Sequence, residues 1–351
     1  MKSILKMGSA FIGIIVGAGF ASGQEILQYF TSFGMHGITA AIVSTALFAY
    51  LGMILTRLGS RLRTTSHKDV IYKISGRYLG IIVDYIIIFT LFGVGVVMIA
   101  GAGANLNQQF DLPSYVGSLL IVVLVLMTIM LNVDKVIGII GSITPLLILA
   151  VVLVSVYCLL TMETSFAVLD PIARDVKTTL PNWFISTINY VSVNIAVGAS
   201  MALVMGGTEK DETTAAWGGF VGGLGLGILI LLSHLAIFSK IDMIAGEELP
   251  MLAIINNISP AAAIFMAFIL YGMIFNTAVS MFYAFGARFV QIGTRKFKLI
   301  IFVTLFVGFS LSFVGFTDLV AYIYPLIGYL GLFLVVALIY ASFRLPDKVR
   351  R

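Results

Sequence analysis

Charge is scarce in this chain. Asp, Glu, Lys and Arg make up 11% of its 351 residues, against about 25% in soluble globular domains, and so little charge excludes a water-soluble fold. One cysteine, Cys158, inside an apolar run, excludes a disulfide framework and a cysteine-rich metal site. The three histidines, His36, His67 and His234, have no metal-ligand spacing. Nor is there a nucleotide-binding segment: the glycine-rich stretch from Gly218 to Gly227 lacks a following Lys-Ser/Thr and lies in an apolar span, where close helix packing explains it. No nucleophile with its base, carboxylate pair or metal constellation can be named, which argues against an intramembrane enzyme.

What the chain has is apolar length. With 60% hydrophobic residues and a mean hydropathy of +1.09, it must treat the bilayer as its solvent. Apolar segments of membrane length predict about ten spans, near residues 8–31, 37–56, 79–104, 115–131, 136–160, 183–206, 215–238, 260–287, 299–315 and 319–343. The first is not a signal peptide, because its apolar pattern resumes through Ile26, Leu27, Tyr29 and Phe30. With the N-terminus in the cytoplasm, every lysine and arginine except Arg174, Lys177 and Lys240 falls inside, which supports an even number of spans and two cytoplasmic termini. Basic loops facing an anionic leaflet account for the net charge of +5 without a nucleic acid.

The first span is flawed at its middle: Gly13, Gly17, Gly19 and Gly23 interrupt it before Gln24 and Glu25. A backbone that leaves the helical ladder in hydrocarbon strands polar groups, and survives only where it lines a cavity or binds something. The loop 161–181 divides the chain into a first repeat, 1–160, and a second, 182–351. An odd number of spans in each makes the second enter the membrane from the opposite side, so the sixth span is the equivalent of the first. It carries Asn189, Tyr190, Ser192, Asn194 and Gly198 at mid-span. Those residues read either as a second break or as helix-packing positions, and the pairing with the first span favours the break.

On Val16-Gly17-Ala18-Gly19-Phe20 and on Gly198-Ala199 followed by an apolar half-helix, the chain resembles the amino acid, polyamine and organocation transporter superfamily and its sodium-symporter relatives. The run Val16 to Glu25 also resembles bacterial YkvI-type membrane proteins. The resemblance implies an all-α integral membrane fold of two inverted five-helix repeats with discontinuous helices 1 and 6. It implies a solute site at the two breaks, formed by Ala18, Gly19 and Ala21, which in the family face a substrate carboxylate, with Gln24, Tyr190, Ser192, Asn194 and Gly198. It also implies a sodium site at the carbonyls of Gly17 and Phe20 with Thr277 and either Asn276 or Ser280; oxygen donors of this kind suit a hard cation. Proton-driven relatives place a lysine in the fifth span, and 137–160 has no lysine or arginine, which favours sodium.

Glu25 has two readings. Ser22-Gly23-Gln24-Glu25 fits a capping box, with the Glu25 side chain returning to the Ser22 N–H. A carboxylate at membrane depth is equally a functional group, taking a proton during a cycle or attracting a cation. The 243–258 segment, broken by Pro250, is too short and polar to span and reads as an external amphipathic helix or a re-entrant lid. The reading that gathers these features is a secondary active transporter of a small solute, an amino acid or related amine, in a bacterial cell (inner) membrane, coupled to sodium or protons. It needs no other cofactor, and the sequence specifies no oligomeric state. The alternative is a non-transporting ligand sensor of the same fold that acts with a separate signalling partner.

Overall fold

Glycine sets how closely the helices approach. In the computed structural model, which describes residues 1–63, 67–131 and 144–344, helix α4 (His36–Leu62) is gripped on two sides, by α9 (Trp183–Thr208) and by α10 (Glu212–Ser239). A Cβ on Gly219 would stand 2.1 Å from the Gly52 carbonyl oxygen, one on Gly223 2.4 Å from that of Phe48, and one on Gly59 2.0 Å from that of Leu203. Backbones this close allow the Thr56 hydroxyl to donate across to the Ala215 carbonyl at 2.7 Å, a contact typical of helices that associate by packing inside lipid. The glycine-rich run of α10 is therefore a packing face, as its sequence implies. Gly219→Ala is expected to lower stability by about 1–2 kcal/mol, read as a fall in melting temperature in detergent; an unchanged melt would show that α4 and α10 can separate freely.

The first span is three pieces, α1 (Lys2–Ile15), α2 (Ala18–Ser22) and α3 (Gln24–Tyr29), followed by a 3-10 turn at Thr31–Phe33. The remaining elements are α5 (His67–Phe110), α6 (Ser114–Leu131), α7 (Thr144–Leu160), α8 (Phe166–Arg174), α11 (Ile241–Ile244), α12 (Pro250–Ile258), α13 (Pro260–Phe289), α14 (Arg295–Ser312) and α15 (Phe316–Arg344). Among the described residues, six helices are long and apolar enough to cross a membrane, and shorter apolar helices cover Ser114–Met130 and Pro145–Leu160. No strand occurs among the described residues. Leu119, Met127, Leu149, Leu153, Phe302, Phe306 and Phe333 point outward, so the outer surface is itself apolar, as a bilayer requires. This is an all-α, multi-pass membrane protein. The predicted start of the fifth span, residues 136–143, lies outside the described residues.

Two helix groups meet at the broken span. Helices α1, α4, α9 and α10 pack together, α5 holds α6, α13, α14 and α15, and α9 joins α15. That last contact is polar: Asn189 Nδ2 donates to the Pro325 carbonyl at 2.9 Å and the Ser192 hydroxyl to Gly328 at 2.7 Å. Pro325 lies inside α15 and has no N–H, which leaves the Ala321 carbonyl without its helical donor. The Thr179 hydroxyl donates to that carbonyl and so fastens the loop 175–182 to α15.

The sixth helix corrects the sequence reading. α9 is continuous from Trp183 to Thr208; it is not discontinuous. Its amides and Ser192 leave the ladder intact: Asn194 Nδ2 donates to the Tyr190 carbonyl one turn back, while Asn189 and Ser192 reach α15. Gly198 faces Ile14 and Ile15 at the end of α1.

Candidate functional site

The break in the first span is a real loss of hydrogen bonds. The ladder of α1 ends with the Val16 N–H on the Ile12 carbonyl, and that of α2 begins with the Ala21 N–H on the Gly17 carbonyl. The N–H groups from Gly17 to Phe20 and the carbonyls from Gly13 to Val16 have no backbone partner between them. Val16 (ψ 95°) and Gly17 (φ −105°, ψ −172°) are extended, a conformation any residue adopts, and a Cβ on Gly17 would meet only the Ile15 carbonyl oxygen, at 3.9 Å. In hydrocarbon such stranded donors and acceptors call for a ligand or side chain.

The second joint is built differently. Gly23 has φ +83°, the left-handed region that glycine enters freely, and a Cβ there would also run into Met251 of α12, 3.0 Å from its backbone nitrogen. The Ser22 hydroxyl bridges the joint, donating to the Gly19 carbonyl at 2.7 Å and accepting the Gln24 N–H at 3.2 Å. The capping box expected from Ser22 and Glu25 is absent, because Ser22 ends α2 and Gly23 is the residue that caps α3. The turn at Gly23 swings α3 so that the Glu25 carboxyl lies on Gly19 instead: a Cβ on Gly19 would stand 1.9 Å from Glu25 Oε1.

Glu25 is 7% exposed and takes part in no ion pair among the described residues. Tyr29, Tyr190 and Tyr324 are within its electrostatic reach, and all are buried. The Tyr190 hydroxyl stands beside the Glu25 carboxyl but makes no hydrogen bond of ordinary geometry. Its ring is wedged against Tyr29 and Phe30, with centroids 5.1 and 4.9 Å away. The expected solute residues Ala18, Gly19, Ala21 and Tyr190 therefore gather at the break, since α3 touches α9 and α2 touches α13. Ser192 and Asn194 donate into helix packing. Gln24 is buried with its Oε1 unpartnered, on the α3 face that floors an outer cavity.

Of the expected sodium ligands, the Gly17 and Phe20 carbonyls each accept one N–H, from Ala21 and Gly23, and keep a second lone pair. Thr277 donates to the Met273 carbonyl at 3.0 Å, which leaves its oxygen able to accept. Asn276 Oδ1 is buried without a partner; Ser280 lies one turn beyond Asn276 on α13. An all-oxygen donor set on these two elements fits a hard cation.

Both ends of the bundle are tied. On the face opposite Met1, α12 lies over the broken span, and Gln108 of α5 pairs with both backbone groups of Leu249, at 3.1 and 2.9 Å. Beside it, a cavity of about 360 Å³ is lined by Gln24, Gln28, Asp175, Lys177 and Glu247. Burial, with Asp318 and Glu247 nearby, holds the Glu248 carboxyl above the ordinary range. On the Met1 face, Ser3 donates to Glu209 at 3.0 Å, Ser60 and Arg63 donate to the Glu209 carbonyl, and Arg61 reaches Glu212 at 3.0 Å. Through these contacts the segment 209–212 ties α1 and α4 to the start of α10. Asp84 is paired with Arg288. His234, buried on α10 with Nδ1 3.1 Å from the Thr31 hydroxyl, was not signalled by any motif.

This arrangement has solved counterparts. The structure of MhsT in complex with L-phenylalanine aligns over 96% of this chain and 87% of that one, with a TM-score of 0.65 at 16% identity. The inward-facing conformation of Mhp1 aligns with a TM-score of 0.56 at 14% identity, over 88% and 69% of the two chains. A Na⁺-coupled sialic acid symporter aligns with a TM-score of 0.53 at 13% identity, over 96% and 86%. The fold is therefore that of these symporters. In sequence, the chain is 26% identical over 337 residues to the uncharacterized membrane protein YkvI of Bacillus subtilis (strain 168), covering 96% of this chain and 95% of that one. It is 25% identical over 335 residues to YyaD of the same organism, covering 95% and 96%. No family model matches.

Proposed function

We propose that this protein is a secondary active transporter of a small solute, an amino acid or related amine, working by alternating access in a bacterial cell (inner) membrane. The observation that carries the reading is the first-span break. Its stranded N–H groups and carbonyls lie between two helix groups, in the fold of known symporters, with a buried carboxylate folded onto them. In this reading both termini are cytoplasmic, as the lysine and arginine distribution favours, the chain is built of the repeats 1–160 and 182–351, and its two helix groups move against each other to expose the break to each side in turn. The outer ties at Gln108 and the inner ties at Glu209 and Glu212 open in turn.

Sodium is the favoured coupling ion. When bound, it would supply a fixed positive charge held by the Gly17 and Phe20 carbonyls with Thr277 and either Asn276 or Ser280. The chain's own contribution is to join α2 to α13 through those groups, so that ion and solute order the same break. Linkage then demands that sodium raise solute affinity and solute raise sodium affinity by the same factor. Titrating each in the presence and absence of the other, on purified protein, measures both. Thr277→Ala should weaken sodium binding and shrink the coupling. Equal solute affinity in sodium, potassium and choline would remove sodium from the mechanism. Solute binding without accumulation in proteoliposomes would leave a sensor in place of a transporter.

A further inference from the structure

We infer that the solute is an organic cation, a primary amine or related ammonium compound with no carboxylate of its own, and that Glu25 seats its charged head. The inference rests on reading the first-span break as the solute site. Glu25 is the one acid among the buried polar groups of the described residues, and that set contains no lysine or arginine. A buried carboxylate is costly when unpaired and favourable when an opposite charge reaches it in good geometry. Here the carboxyl already occupies the stranded backbone at Gly19, where an amino acid's carboxylate would have to go. An incoming carboxylate would find that spot filled by the Glu25 carboxyl; an incoming ammonium would find an acceptor there, and a counter-charge once Glu25 is ionised.

The surroundings suit the same head group. Tyr29, Tyr190 and Tyr324, all buried and within electrostatic reach of Glu25, bring phenol oxygens toward its carboxyl, and a hydroxyl oxygen can accept from an ammonium N–H. Two buried oxygens on elements around the break have no hydrogen-bond partner: Gln24 Oε1 on α3 and the Tyr190 hydroxyl on α9. The amide oxygen only accepts, and an ammonium group only donates. A carboxylate brings acceptors and would not satisfy it. The approach favours a cation as well: Asp175 and Glu247 line the outer cavity above Gln24 beside a single lysine, Lys177, and Glu248, next to Glu247 in the chain, has Asp318 nearby.

The test pairs solutes that differ by one carboxylate. Purified protein in sodium-containing detergent buffer is titrated with ethylamine, isobutylamine, phenethylamine and cadaverine, and in parallel with alanine, valine, phenylalanine and lysine, with melting temperature as the readout. At least one amine should stabilise the protein, and its amino-acid counterpart should bind at least about tenfold more weakly. Glu25→Gln should lose that stabilisation and Glu25→Asp keep part of it. If Glu25→Gln does not fold, Gly19→Ala displaces the same carboxyl and should give the same loss. An amino acid that binds as tightly as its amine overturns the proposal, and so does an amine effect that survives in Glu25→Gln or stabilisation by none of the amines. The transport reading fails separately: an amine that binds through Glu25 but never accumulates in proteoliposomes keeps the cation seat and removes the transporter.

Discussion

Gly19→Ala is expected to weaken solute binding by at least about a hundredfold in a protein that still inserts and melts cooperatively. The added methyl group would lie 1.9 Å from Glu25 Oε1 and 2.9 Å from its Cδ, so the carboxyl must leave the break. Gly198→Ala makes the contrast. Its new methyl would meet Ile14 Cγ2 at 3.2 Å and Ile15 Cγ1 at 3.4 Å, apolar side-chain atoms that yield by tenths of an ångström, and binding should stay within about threefold of wild type. The sequence treats these two glycines as equals, one at each break; the structure ranks them. Equal affinities in the two variants, measured by ligand-induced shifts in melting temperature, would mean that the carboxyl position at Gly19 is irrelevant to binding.

Arg288→Ala should cost about 1–3 kcal/mol of stability, the range for leaving a polar group without its partner, because the pair is half-buried: the Asp84 side chain retains 26% of its exposure while that of Arg288 keeps 8%. The pair fastens the end of α13 to α5. Asp84→Asn combined with Arg288→Met removes both charges and should recover more than half of that loss, since what destabilises the single variant is the carboxylate left behind. Chemical denaturation of the two variants separates the outcomes; a double variant no more stable than the single one would place the role of Arg288 in its packing and in contacts other than Asp84.

Composition and spacing alone determined the solvent of this protein, its architecture of long apolar helices, and the flaw in the first span. Each follows from a one-dimensional rule: too few charges for water, apolar runs of membrane length, and glycines with a serine where a helix in lipid needs an unbroken ladder. The packing role of Gly218 to Gly227 was legible for the same reason. Tertiary structure alone decided the rest. Asn189, Ser192 and Asn194 are equally compatible with a broken helix and a continuous one, and α9 is continuous because α15, 136 residues away from Asn189 and Ser192 in sequence, offers the Pro325 and Gly328 carbonyls as acceptors. Asp84 and Arg288 lie 204 residues apart and Thr31 and His234 lie 203 apart, beyond the reach of any local pattern. The role of Glu25 turns on one dihedral angle: Ser22-Gly23-Gln24-Glu25 spells a capping box, but Met251 pressed against a left-handed Gly23 rotates α3 and carries the carboxyl to Gly19. A local sequence specifies which turns are allowed, and the neighbours packed against it select the one that forms.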